Sequence, residues 1–348
     1  MYYTNILVSV TEICTVGCSH CGFKGSIRER QPAEEEMAAW VTQACDWGIP
    51  AIIFTGGEPF QRFSLLKAGV QAVARHPAKP RTGCFTSSFW GKDRATVDKI
   101  LDQLPGLTHL YLSTDVFHQE RVPAQYVRNV IDGAIAHGIR DISLCITIAK
   151  DEEEQQFRAL YEDYGDRLLI HVDRVISTPH IDHVAATGHP PLPEHYKTSC
   201  WLHTPIINPN GDLCACHVAK VGAHRPLDKD VYFLGNLKQR SFREIMEEAD
   251  ADYGYQYLRA FGPQGVARLV NEDDELRTRF GGKAYSSGCD MCSKVLLTRK
   301  GREKLEAHVA DPFQQALIDT VRERRFGEVS QDQAARVQAQ AQAAEAAR

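Results

Sequence analysis

No stretch of this 348-residue chain is apolar for long enough to cross a membrane. Its opening segment, MYYTNILVSV, is apolar but short. It carries no basic lead and no small-residue cleavage site, so it does not read as a secretory signal. Positive charge is scarce as well. Forty Lys and Arg face 45 Asp and Glu, giving a net charge of −5. That balance argues against a nucleic-acid surface or an anionic membrane as partner. These absences predict a cytoplasmic protein in a compartment where thiols stay reduced.

Cysteine, by contrast, is plentiful. There are 11: Cys14, Cys18, Cys21, Cys45, Cys84, Cys145, Cys200, Cys214, Cys216, Cys289 and Cys292. In a reducing compartment, clustered cysteines favour metal over disulfides. Cys45, Cys84 and Cys145 stand alone inside apolar stretches and read as small core residues. The chain is 43% hydrophobic and 24% charged, which is ordinary for a globular protein. Its length suits one large domain and a smaller one.

The first half alternates between short β-branched runs and longer amphipathic segments. Strands are expected at Asn5–Thr11, Ala51–Phe54, Arg81–Thr86, Thr108–Ser113, Asp141–Ile148 and Leu168–Val175. Helices are expected at Ala33–Trp47, Phe63–Arg75, Arg94–Leu104, Ala124–His137 and Glu152–Tyr164, with Pro and Gly marking their ends. Alternation at about 30 residues per unit predicts parallel βα repeats and an α/β fold, a partial (β/α)6 barrel of the TIM type. Chemistry then belongs at the C-terminal ends of the strands. The expected domains are the barrel at 1–177, a connection rich in Pro and His at 178–198, a cysteine-rich region at 199–296, a helical segment at 297–328 and an Ala/Gln-rich tail at 329–348. Two further helices are expected, at Gln239–Ala249 and Pro312–Arg325.

Directly after the first strand comes Cys14-Thr-Val-Gly-Cys18-Ser-His-Cys21, a C-x3-C-x2-C array. Three thiolates in one loop can wrap one face of a cubane cluster and leave one iron open. A closed zinc site needs four ligands and would have to borrow Cys45 or a histidine. After the second strand comes Thr55-Gly56-Gly57-Glu58-Pro59. Its two glycines let the backbone come close to a ligand. Together, the array and the Gly-Gly-Glu-Pro strand end resemble the radical S-adenosylmethionine (SAM) superfamily.

That resemblance implies an enzyme with a [4Fe–4S] cluster on Cys14, Cys18 and Cys21, whose open iron chelates SAM. It implies reductive cleavage of SAM to a 5′-deoxyadenosyl radical, which takes a hydrogen atom from a substrate carbon. It also implies a reductant such as flavodoxin or ferredoxin. Gly56, Gly57, Glu58 and Pro59 fall where the family binds the SAM amino group. His20 falls where the family has an aromatic residue beside the last cysteine, and a packing role for its ring is expected. Ser113 and Asp115, at the fourth strand end, are candidates for SAM contacts, with turn and cap roles as the rival reading. His118 reads first as a surface histidine.

The second cysteine set reads Cys200-x10-Gly211-x4-Cys216, then Cys289-x2-Cys292. Two pairs of cysteines fit structural zinc as well as a cluster. Set beside the first array, this order resembles the SPASM extension in its shortened twitch form. Ile207–Leu213 would be its β-hairpin and Leu234–Leu237 the turn after it. No cysteine follows Cys292, so one auxiliary [4Fe–4S] cluster is implied, on Cys200, Cys216, Cys289 and Cys292. Cys214 could replace Cys216 as ligand, or stand near the substrate as a hydrogen donor.

Relatives with one auxiliary cluster act on sugars, aminocyclitols or nucleotides, as dehydrogenases or epimerases. Others crosslink or epimerise precursor peptides, many of them with a leader-binding domain before the cysteine loop. Only 13 residues precede Cys14, which favours a small-molecule substrate over a peptide. A non-catalytic metal-binding interaction module is the reading from a different class.

Overall fold

The alternation of the first half is what the computed structural model shows. It describes residues 3–21, 31–175, 194, 200, 202, 204–216 and 232–327. The first six strands are β1 (Ile6–Thr11), β2 (Ala51–Gly56), β3 (Arg81–Thr86), β4 (His109–Ser113), β5 (Asp141–Ile148) and β6 (Leu169–Arg174). They pair in parallel and in chain order, with Ile6 opposite Ile52 and Ser113 opposite Cys145. Between them run α1 (Glu34–Asp46), α2 (Phe63–Arg75), α3 (Arg94–Leu101), the one-turn α4 (Val116–Gln119), α5 (Ala124–Ala136) and α6 (Asp151–Ala159).

Period-2 patterning decides which face each strand residue serves. On β4, Leu110 and Leu112 are fully buried, whereas His109, Tyr111 and Ser113 are only half-buried. The apolar set joins one core with Ile52, Phe54, Leu66, Val70, Val127, Val130 and Leu144. Asp93 caps α3 by accepting from Thr96 N at 2.8 Å.

The second region continues the same sheet. Strand β7 (Ile206–Ile207) lies parallel to β1, with Leu7 opposite Ile206. Strands β8 (Asp212–Cys214) and β9 (Phe233–Asn236) follow antiparallel. The sheet order is β6-β5-β4-β3-β2-β1-β7-β8-β9, so among the described residues β6 and β9 are its edges and the barrel is open. The expected hairpin is present. Gly211 closes it at φ +93°, and its N–H reaches Asn208 O at 2.9 Å. Leu234–Asn236 was expected as a turn but lies within β9. Gly235 is needed there for packing, because a Cβ would sit 2.8 Å from Ile245 Cγ1 on the next helix.

Helices α7 (Phe242–Ala251), α8 (Tyr253–Asn271), α9 (Asp274–Leu276), α10 (Gly288–Leu296), α11 (Arg299–Val309) and α12 (Pro312–Phe326) complete the described residues. Helix α8 is buried along most of its length and forms the centre of a second core with Leu202, Tyr232, Met291 and Leu305. It bends at Gly262, φ +51°, just before Pro263. Among the described residues, no helix is long and apolar enough to cross a membrane. The tail at 329–348 and most of the connection at 178–198 lie outside the described residues.

Candidate active site and second cysteine centre

Parallel strands bring their C-terminal ends to one side. A pocket of about 470 Å³ opens there, and its walls come from five consecutive strand ends. The loop after β1 gives Cys14, Val16, Gly17, Cys18, His20 and Cys21. β2 and its turn give Thr55 to Pro59, and β3 gives Phe85, Thr86 and Ser87. Ser113, His118 and Thr147 close it from β4, α4 and β5.

The cysteine loop is held by backbone. Gly57 N donates to Thr11 O at 2.6 Å, and Glu58 N to Ile13 O at 2.9 Å. A Cβ on Gly57 would lie 2.3 Å from Ile13 O, and one on Gly56 would lie 2.3 Å from Thr11 O. The two glycines therefore let the end of β2 lie against the entry to the cysteine loop. Gln61 donates to Thr15 as a further tie. Gly17 adopts φ +66°, and Cys21 N donates to Cys18 O at 3.2 Å, so the loop turns back on itself.

Glu58 is the buried anchor of the pocket wall. Its carboxylate accepts from Thr86 Oγ1 at 2.9 Å, Ser87 N at 2.8 Å, Ser87 Oγ at 2.6 Å and Phe60 N at 3.2 Å. Burial pushes its pKa up, against the pull of those hydrogen bonds. Glu58 thereby fastens the end of β2 to the end of β3.

Asp115 does not line the pocket. It is fully buried and caps α4, accepting from Phe117 N and His118 N at 3.0 and 2.9 Å. Its other oxygen accepts from Thr147 N at 3.2 Å. Burial alone would raise its pKa, but the hydrogen bonds and charge of His118, with His20, bring it below the usual carboxylate value. His118 was expected at the surface and instead lines the pocket, its Nδ1 2.8 Å from Asp115 Oδ1. His20 packs on Phe117 at 4.4 Å between ring centroids and meets His118 edge-on at 5.3 Å. Burial, joined by the neighbouring His118, lowers the His20 pKa to about 4.

Sequence reasoning missed Thr55, Phe85, Thr86, Ser87 and Thr147. Their only signal was position at the C-terminal end of a predicted strand.

The donor set suits a cluster with one open iron. Three thiols line the pocket, with no fourth cysteine among its lining residues. The Cys18 thiol is pushed up to about 12, first by burial and then by Cys21, Asp115 and Cys14. Thiols crowded in this way become stable thiolates only beside a cation. His20 Nδ1 is buried in the same wall without a hydrogen-bond partner among the described residues.

The second cysteine set converges too. Cys200, Cys216, Cys289 and Cys292 line one small cavity with Leu202, Tyr232 and Pro263. Burial pushes Cys200 up to about 12 and Cys292 well above the ordinary thiol value, and the charges of neighbouring cysteines add to both. Two of the sulfurs have hydrogen-bond partners. Leu202 N lies 3.4 Å from Cys200 Sγ, and Tyr232 Oη lies 3.0 Å from Cys292 Sγ. Four thiols converging on one cavity, two of them hydrogen-bonded, suit a four-cysteine metal centre. Cys214 lines neither cavity. It is fully buried on β8, where Asn208 Nδ2 donates to its sulfur at 3.5 Å. It packs in the same buried core as Leu202, Cys216 and Tyr232.

Comparison with known proteins agrees with this geometry. The family model for the radical SAM superfamily matches residues 8–164. YydG of Bacillus subtilis (strain 168), named for peptide biosynthesis, is 26% identical over 308 residues, covering 85% of this chain and 92% of that protein. GTP 3′,8-cyclase of Listeria welshimeri is 24% identical over 162 residues, covering 43% of this chain and 47% of the cyclase. Among solved structures, native anSMEcpe with bound AdoMet and Cp18Cys peptide superposes with a TM-score of 0.50 at 10% identity. That match covers 91% of this chain and 99% of the other, a likeness of fold. Residues 8–164 thus match a radical SAM domain, a superfamily whose enzymes use a [4Fe–4S] cluster and S-adenosylmethionine.

Proposed function

We propose that this enzyme abstracts a hydrogen atom from a peptide substrate, with Cys14, Cys18 and Cys21 holding the SAM cluster. When bound, that cluster and SAM supply a 5′-deoxyadenosyl radical, given an electron from a flavodoxin- or ferredoxin-type reductant. The observation that carries the reading is three thiols facing one pocket at the C-terminal ends of β1 to β5. The backbone of Gly56, Gly57 and Pro59 and the hydroxyl of Ser113 stand on that pocket as groups to bind the SAM amino acid and ribose. Glu58 keeps the two strand ends together. Asp115 orients His118 at the pocket wall. Val16 and Phe85 give the same space an apolar wall.

Cys200, Cys216, Cys289 and Cys292 are assigned to one auxiliary [4Fe–4S] cluster of the twitch type. The peptide reading rests on YydG, which matches over 92% of its length and is named for peptide biosynthesis. The small-molecule reading draws on the nucleotide-named cyclase, whose match covers 43% of this chain.

Anaerobic reconstitution tests the cofactors, with about eight irons per chain expected, two cubanes of four. Loaded protein with SAM and a strong reductant should release 5′-deoxyadenosine, and a short precursor peptide should change in mass or stereochemistry. Four irons with zinc would remove the auxiliary cluster. Fully loaded protein that never yields deoxyadenosine, with peptides or small molecules present, would return the chain to the non-catalytic reading.

A further inference from the structure

Tyr232 links the two halves of the second cysteine centre. Its carbonyl accepts from Ala215 N at 2.6 Å, which pins it beside Cys216 on the hairpin side. Its hydroxyl reaches 3.0 Å to Cys292 Sγ on α10, 60 residues away in sequence. The ring lines the same cavity as the four cysteines, and the residue is only 2% exposed. A thiol could share a proton with the phenol in either direction. A metal-bound thiolate has no proton left, so the O–H must donate to sulfur.

We propose that Tyr232 is a positioning residue that raises the reduction potential of the auxiliary cluster by hydrogen-bonding Cys292. This rests on the assignment of Cys200, Cys216, Cys289 and Cys292 as its ligands. Reduction adds negative charge to the cluster and its sulfurs. A donor aimed at one sulfur therefore stabilises the reduced form more than the oxidised form. Low polarity around the site magnifies the difference. Leu202 N acts in the same sense on Cys200, but as backbone it is fixed by the chain. Tyr232 is the side-chain donor placed where a substitution changes the potential and keeps the shape.

The test is Tyr232→Phe in the full-length, reconstituted protein, followed by redox titration with EPR detection of both clusters. Iron content should stay at the wild-type value. At a fixed ambient potential the reduced-to-oxidised ratio of the auxiliary cluster should fall about tenfold, equivalent to 59 mV for one electron. The SAM-cluster signal, read in the same titration, should not shift. A loaded Tyr232→Phe protein with an unshifted auxiliary potential would overturn the proposal.

If Tyr232→Phe does not load, Tyr232→Gln decides, because it restores a donor without the ring. Normal loading and a near-wild-type potential in Tyr232→Gln support the hydrogen bond. Failure of both variants to load shows that Tyr232 serves assembly of the site and not the tuning of its potential, which overturns it. Zinc in place of four irons in the wild-type protein would fail the auxiliary-cluster reading itself, and would be seen before any variant is made.

Discussion

Asp115 Oδ1 lies 2.8 Å from His118 Nδ1, and the same oxygen takes the backbone N–H groups of Phe117 and His118. A fully buried carboxylate thus fixes both the start of α4 and the ring that lines the pocket at the strand ends. Its pKa in the folded protein lies below the usual value near 3.9. The stabilisation it contributes is therefore present above about pH 4 and fades as the pH falls through that lower value. Asp115→Asn should cost the apo-protein about 2 kcal/mol at pH 7. In urea unfolding, the gap from wild type should narrow below about pH 4. A gap that stays constant down to pH 3 would contradict this.

Gly57→Ala tests the backbone clamp on the cysteine loop. Its Cβ would enter a 2.3 Å contact with Ile13 O, which cannot yield without moving the residue before Cys14. The expected result is loss of about half the iron, the SAM-cluster share, with SAM binding lost by calorimetry. The auxiliary EPR signal should persist. Full iron loading in this variant would show that the loop tolerates the shift.

Glu58→Gln replaces one acceptor oxygen by an NH2 group, opposite donors from Ser87, Thr86 and Phe60. A buried donor facing donors should cost about 2–3 kcal/mol. SAM affinity should fall with it, because the end of β3 is no longer tied to β2. Thermal melting and SAM binding read the two effects separately, and a variant unchanged in both would refute the anchoring role.

Cys216→Ala and Cys214→Ala separate ligand from core. The first should lose about four irons. The second should keep all of them and lose about 1–2 kcal/mol of stability. Deoxyadenosine release should survive Cys214→Ala. Iron loss in Cys214→Ala with full loading in Cys216→Ala would reverse the assignment.

The first half was legible because its signals are local. Phe63–Arg75, Arg81–Thr86 and Asp141–Ile148 fall at the expected residues, since apolar period and Pro or Gly stops agree there. Helix α8 was not legible. Its polar Gln256 and Arg259 are fully buried, and Gly262-Pro263 reads as a loop. His118 was read as exposed because the contact that draws it inward, with Asp115, becomes meaningful only when the strand ends converge. The four cysteines of the second set were legible as a pattern. Tyr232 was not, since nothing in its own neighbourhood of the chain points to a residue 60 positions away.

Strand β1 lies between β2 and β7, so a segment from beyond residue 200 covers the flank of the first strand. Tyr3 Oη also meets Tyr255 Oη at 3.0 Å across that seam. A fragment ending after β6 would leave the strand that leads into the Cys14–Cys21 loop as a bare edge, open to pairing with another chain. The first half is therefore not a self-contained unit to which the second was simply appended. The first strand gains its second neighbour only from a segment beyond residue 200, so both sets of cysteines hang on one continuous sheet.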